Sequence, residues 1–142
     1  MTEYTSEIRI IPYAASTIFR VLADLRNLEK LKDKIPQDKI QDITCDKDSC
    51  TLSINPIGKI KFIIEERVPD STIIFIAQQV PFPVQLSIEL FPNGEKDTQM
   101  QLTVKAEINA FLKPMVSKPL QQGIEKMAEM LTTIPYDAIS EV

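Results

Sequence analysis

Thr98-Gln99-Met100-Gln101-Leu102-Thr103-Val104-Lys105-Ala106-Glu107-Ile108-Asn109 is the stretch that decides the fold, because it alternates strictly. Met100, Leu102, Val104, Ala106 and Ile108 fall on one side, and Gln99, Gln101, Thr103, Lys105 and Glu107 on the other. That two-residue period is a strand with one dry and one wet face. Parallel strands are covered on both faces and read as continuous apolar runs, so the alternation points to an antiparallel sheet. The dry face needs a cover, and the tail supplies it. Leu120, Ile124, Met127, Leu131 and Ile134 make an apolar stripe at helical spacing, with Gln121, Glu125 and Glu129 off the stripe. A helix is expected from Leu112 or Ser117 to Thr133, with Pro119 in its first turn or kinking it and Pro135 marking its end.

Working backwards, more alternating segments precede it. Val84 to Phe91 sets Val84, Leu86, Ile88 and Leu90 against Gln85, Ser87 and Glu89, and Pro92-Asn93-Gly94 is a turn. Thr72 to Gln79 is a strand followed by a bend at Pro81-Phe82-Pro83. Ile57 to Val68 is a long strand with Gly58, Ile60, Phe62 and Ile64 on one face and Lys59, Lys61, Glu65 and Arg67 on the other. Ile40 to Cys45 and Cys50 to Ile54 read as a hairpin around Asp46-Lys47-Asp48-Ser49. Nearer the start, Glu3 to Ile11 is a strand that Pro12 ends. Ile18, Phe19, Leu22 and Leu25 then give a helix over Ala15 to Leu25, with Ser16 as its cap candidate. Asn27 to Lys32 is expected as a second short helix, with Leu28 and Leu31 inward.

The expected architecture is therefore α+β. A curved antiparallel sheet of about seven strands grips a long C-terminal helix, and two short helices follow the first strand. With 142 residues, the chain is expected to be a single domain over 1–142. Apolar residues make up 44% and charged residues 25%, an ordinary globular composition. Stable membrane insertion is not expected, since no apolar run nears the ~18–20 residues of a spanning helix. A net charge of -4 argues against a nucleic-acid surface. The chain has no His, which excludes Ser-His-Asp and Cys-His nucleophile systems and His-ligated metals. No metal and no cofactor are expected. The opening Met1-Thr2-Glu3-Tyr4-Thr5-Ser6-Glu7 lacks a basic region followed by an apolar core, so no signal peptide is expected and the cytoplasm is the expected location.

This order of elements resembles the START-like helix-grip superfamily, the SRPBCC group of polyketide cyclase/dehydrase and lipid-transport proteins. Ile10-Ile11-Pro12-Tyr13-Ala14-Ala15-Ser16-Thr17-Ile18-Phe19-Arg20-Val21-Leu22-Ala23-Asp24-Leu25 is similar to that family's opening, a strand running through a turn into a helix of the type aliphatic-Phe-x-x-Leu-x-Asp. Gly58 before a long strand, and Glu65-Glu66-Arg67-Val68-Pro69 before a turn, match too. The family usually places a Trp soon after the first helix, and this chain has none. The resemblance implies a cavity between sheet and helix for a hydrophobic or amphipathic small molecule. Lipid carriers, quinone chaperones, polyketide cyclases and chaperone activators share the fold, so it does not give the function.

The lining of such a cavity is expected from Ile60, Phe62, Ile64, Phe75, Leu86, Ile88, Leu102, Val104, Met115, Leu120, Ile124 and Met127. Gly123 would let the helix approach the sheet or leave room for a ligand. The same residues would equally fill a solid core. Glu66 shares parity with Ile60, Phe62 and Ile64. It would then point inward at a cavity rim, where it could bond a ligand hydroxyl or donate a proton. The alternative is a solvated strand end, or a bulge that flips the parity. Tyr13 and Tyr136 could offer phenols at the cavity ends or be structural. Cys45 and Cys50 should lie opposite each other with Cβ atoms about 4.5–5.5 Å apart, near disulfide range. They are read as two free buried thiols rather than a redox pair. Asp42, Asp46 and Asp48 read as a solvated turn. The expected function is binding or transport of a hydrophobic small molecule (lipid, quinone or polyketide-like). The alternatives are a cyclase or dehydratase using Glu66, or a protein-interaction module of the chaperone-activator type.

Overall fold

The computed structural model describes residues 2–27, 40–54, 58–78, 83–134 and 136. The strands are β1 (Thr2–Thr5), β2 (Arg9–Ile11), β3 (Ile40–Cys45), β4 (Ser49–Ile54), β5 (Gly58–Val68), β6 (Thr72–Gln78), β7 (Val84–Pro92) and β8 (Thr98–Ala106), and the helices α1 (Ala15–Leu22) and α2 (Lys113–Thr132). One antiparallel sheet runs in the order β1-β8-β7-β6-β5-β4-β3, with β2 also paired to β8. The expected α+β architecture is therefore present. The short helix expected beyond residue 27, the bend at 81–82 and Pro135 lie outside the described residues.

The dry face is the one read from the alternation. Met100, Leu102, Val104 and Ala106 of β8 are buried, as are Leu86, Ile88 and Leu90 of β7 and Ile73, Phe75 and Ala77 of β6. α2 covers β8, β2 and β1, while α1 packs on β6 and β7. Among described residues, no helix is long and apolar enough to cross a membrane.

Three local departures matter for the site. The expected first strand is broken at Ser6. Its N–H donates to the Leu102 carbonyl at 2.8 Å, and its Oγ accepts the Leu102 N–H at 2.9 Å. The register slips by one residue across this break, which turns Ile11 inward and leaves Ile8 and Ile10 exposed. A second slip lies in β3 between Gln41 and Thr44. There Asp42 takes φ 55°, a left-handed conformation that aspartate tolerates better than most residues. The third lies in β5 between Ile64 and Glu66. It reverses the parity of everything after Ile64, so Glu66 pairs with Ile74 and Arg67 with the buried Ile73.

Helix ends also differ from expectation. α1 begins after an extended Ala14 without a side-chain cap, so Ser16 lies inside the helix and does not cap it. α2 starts at the earlier of the two expected points, with Pro114 in its first turn and Pro119 inside it. Pro119 has no N–H to donate back to the Met115 carbonyl. Two residues earlier, the Ser117 hydroxyl donates to the Lys113 carbonyl at 2.7 Å.

Candidate functional site

Between the sheet and the C-terminal half of α2 lies a cavity of about 70 Å³. Its floor is the dry face of the sheet: Phe62 of β5, Phe75 of β6, and Leu86 and Ile88 of β7. Met127, Met130 and Leu131 of α2 form the roof. Leu22 and Leu25 close one side from α1 and the turn after it, and Ile43, Cys50 and Leu52 close the other from the β3–β4 hairpin. Every one of these side chains is apolar or a cysteine. Such a space favours hydrocarbon and offers no partner to a buried polar group. A single water needs about 10–15 Å³ of such space, while sites for drug-sized guests measure about 300–1,000 Å³. The cavity as it stands therefore fits a short alkyl segment or part of a ring.

Of the expected lining, Phe62, Phe75, Leu86, Ile88 and Met127 are in the wall. Ile60, Ile64, Leu102, Val104 and Ile124 are buried but do not line it. Leu120 and Gly123 are half-buried on α2 away from the cavity. Met115 is 70% exposed near the start of that helix. The expectation spread the lining along all of α2, whereas the space lies under its last turns.

For Glu66 the structure shows the alternative reading: a bulge in β5 flips the parity and places the side chain on the outer face, where it is exposed. Arg67 takes the inward parity instead. Its Nε donates to the Ala23 carbonyl at 2.9 Å, and its Nη2 lies 2.7 Å from Asp48 Oδ1 and 3.4 Å from the Lys47 carbonyl. It thus ties the end of α1 to the β3–β4 turn, the two side walls of the cavity. The Leu25 N–H reinforces the tie by donating to the Lys47 carbonyl at 3.2 Å.

Cys45 and Cys50 require a correction, because they are bonded as a disulfide rather than present as two thiols. They are direct cross-strand partners in the β3–β4 ladder. Their turn is held independently. Asp46 Oδ1 accepts the N–H groups of Asp48 at 2.9 Å and Ser49 at 2.7 Å. These bonds, the Asp48 N–H foremost, hold the Asp46 carboxyl below the usual aspartate range. Among described residues no cluster of three or more metal-ligating side chains occurs.

Neither tyrosine lines the cavity. Tyr136 is fully buried and its hydroxyl donates to the Leu131 carbonyl at 2.6 Å. Its ring meets Tyr13 edge-on at 5.6 Å. Burial, with a smaller contribution from Tyr13, pushes the Tyr136 phenol well above its ordinary value.

No protein-family model matches the chain, and neither does any curated protein. Solved structures do match. A START superfamily protein from Mycobacterium smegmatis is 17% identical, with a TM-score of 0.71 over 92% of this chain and 94% of that one. Norcoclaurine synthase from Thalictrum flavum, in complex with dopamine and hydroxybenzaldehyde, is 15% identical, with a TM-score of 0.68 over 92% of this chain and 85% of that one. A conserved protein from Geobacillus kaustophilus is 13% identical, with a TM-score of 0.65 over 99% of this chain and 96% of that one. At these identities the likeness is one of fold.

Proposed function

On a START-like helix-grip fold, we propose that this protein binds an apolar small molecule, or the apolar part of an amphipathic one, between the sheet and the C-terminal half of α2. Lipid, quinone and polyketide-like molecules are the classes in view, and carriage within the cytoplasm is the role. The observation that carries this reading is the cavity's wholly apolar wall. Burying hydrocarbon there contributes about 25 cal/mol per Å² before the costs of association are subtracted. Met127 and Met130 in the roof suit a guest larger than the resting space, because unbranched thioether side chains repack readily. Among the described residues the lining supplies no acid–base pair, so the reading favoured is binding rather than turnover.

Native mass spectrometry of gently purified protein, followed by titration with the apolar fluorophore N-phenyl-1-naphthylamine, tests the proposal. A co-purifying guest or saturable probe uptake is expected, and Leu86→Trp should block it by filling the space. Protein that is uniformly empty and ignores the probe, fatty acids and quinones would overturn the reading.

A further inference from the structure

We propose that Cys45 and Cys50 form a reversible thiol–disulfide exchange site whose state sets the shape of the cavity wall, with a vicinal dithiol as the reductant. Three observations converge on the pair. The cysteines face each other directly across β3 and β4 and are bonded. Cys50 is only 2% exposed and contributes its side chain to the cavity, whereas Cys45 is half-buried beside the turn. The turn between them stands on bonds of its own: Asp46 holds Asp48 and Ser49, Arg67 holds Asp48, and the Ile64 N–H donates to the Asp48 carbonyl at 2.8 Å. Opening the disulfide therefore leaves the hairpin closed. A cross-link over so short a loop also removes little entropy from the unfolded chain.

The difference in exposure sets the direction of exchange. An external thiolate attacks Cys45 Sγ, the more accessible sulfur, forming a mixed disulfide and expelling the Cys50 thiolate. Cys50 sits against hydrocarbon, where the charged form is disfavoured, so it takes up a proton. The second thiol of the external dithiol, as thiolate, then displaces Cys45. The protein ends with two thiols and the reductant with one disulfide. Two electrons have moved from the external dithiol to the protein pair. Once the bond is gone the two sulfurs move out to non-bonded contact. Cys50 belongs to the wall, so its sulfur moves relative to the roof, where Met127 and Met130 adapt.

The test uses the full chain with carbon-13 labelled methionine methyl groups. Air-oxidised protein, unfolded in guanidinium before labelling, should take up no alkylating reagent, and two equivalents when dithiothreitol is applied first. The methyl signals of Met127 and Met130, which line the cavity, should move on reduction, while that of the distant, exposed Met115 stays in place. In Cys45→Ser, reductant should no longer shift them. Thiols that alkylate in the air-oxidised protein would overturn the proposal. So would Met127 and Met130 signals that stay still while two thiols appear. A general collapse of the methyl spectrum on reduction would also overturn it, since the bond would then be structural. None of these readouts needs a guest, so a protein that binds nothing would sink the binding proposal and leave this one standing.

Discussion

Arg67 Nε donates to the Ala23 carbonyl oxygen at 2.9 Å, joining positions far apart in the chain. Ala23 follows the last turn of α1, where helix carbonyls have no partner within the helix and the negative end of the dipole gathers. Asn27 serves the same end by donating to the Val21 carbonyl at 2.9 Å. Arg67→Leu should cost about 1–2 kcal/mol, the scale of a charged hydrogen bond lost from a half-buried site. Asp48→Ala should cost under about 1 kcal/mol, because its side chain is 64% exposed and the pair is solvent-screened. Urea unfolding of both variants measures the difference. Equal losses would mean that the ion pair, not the helix end, is what Arg67 serves.

Leu86→Ala enlarges the cavity floor. The loss of a buried leucine side chain should destabilise the chain by about 2–5 kcal/mol, while probe uptake rises with the added space. Thermal unfolding and fluorophore titration read the two effects separately. Lower stability without increased uptake would place the guest elsewhere.

Glu66→Gln should change stability by less than about 0.5 kcal/mol, as for exposed positions in general, and leave probe binding intact. The reason is the outward position of this side chain past the β5 bulge. A loss of binding would return the carboxylate to the site.

Tyr136 gives an alkaline signature. Its folded-state pKa lies above the ordinary 10.0, so the folded state holds the phenolic proton more tightly than the unfolded chain does. The resulting stability is fully present below about pH 10 and declines as pH rises beyond it. Tyr136→Phe should flatten this alkaline decline. It should also cost about 1–3 kcal/mol at neutral pH, because the Leu131 carbonyl loses its donor. Stability measured from pH 8 upward for both proteins checks the sign.

At the acidic end, Asp46 works in the opposite sense. Its carboxyl is held below 3.8 in the folded state by the Asp48 and Ser49 donors. Its contribution is therefore complete above the ordinary aspartate pKa and disappears as pH falls through the lowered value. Asp46→Ala should weaken the fold at neutral pH and make the acid decline shallower, as thermal melts across pH 2–6 would record.

The alternation of Thr98 to Ile108 and the stripe from Leu120 to Ile134 were sufficient to read the layers, because period and hydropathy say which side of a residue is dry. They do not say where two dry surfaces fail to meet. That depends on sheet curvature and on bulges, so Phe62 and Leu102 look alike in sequence although only Phe62 borders the space. Leu22 and Leu25 were legible as the apolar side of a helix and Cys50 as buried, but nothing in the sequence marked them, or Ile43 and Leu52, as walls. The β5 bulge did leave a trace. Glu65 and Glu66 are consecutive carboxylates in a strand of strict alternation, so without a bulge one of them would have to face the core.

Along α2, Tyr4 meets the Ser117 hydroxyl at 2.7 Å, Gln121 donates to the Thr5 carbonyl at 2.9 Å, and Glu125 accepts the Glu7 N–H at 3.0 Å. Past Glu125 the helix meets the sheet through Met127, Met130 and Leu131. Directional bonds resist sliding and greasy contacts do not. On the proposed binding role, α2 would act as a clothes peg whose spring sits beside β1: a guest larger than the cavity would lift the opposite tip first, while the clasp near Ser117 holds.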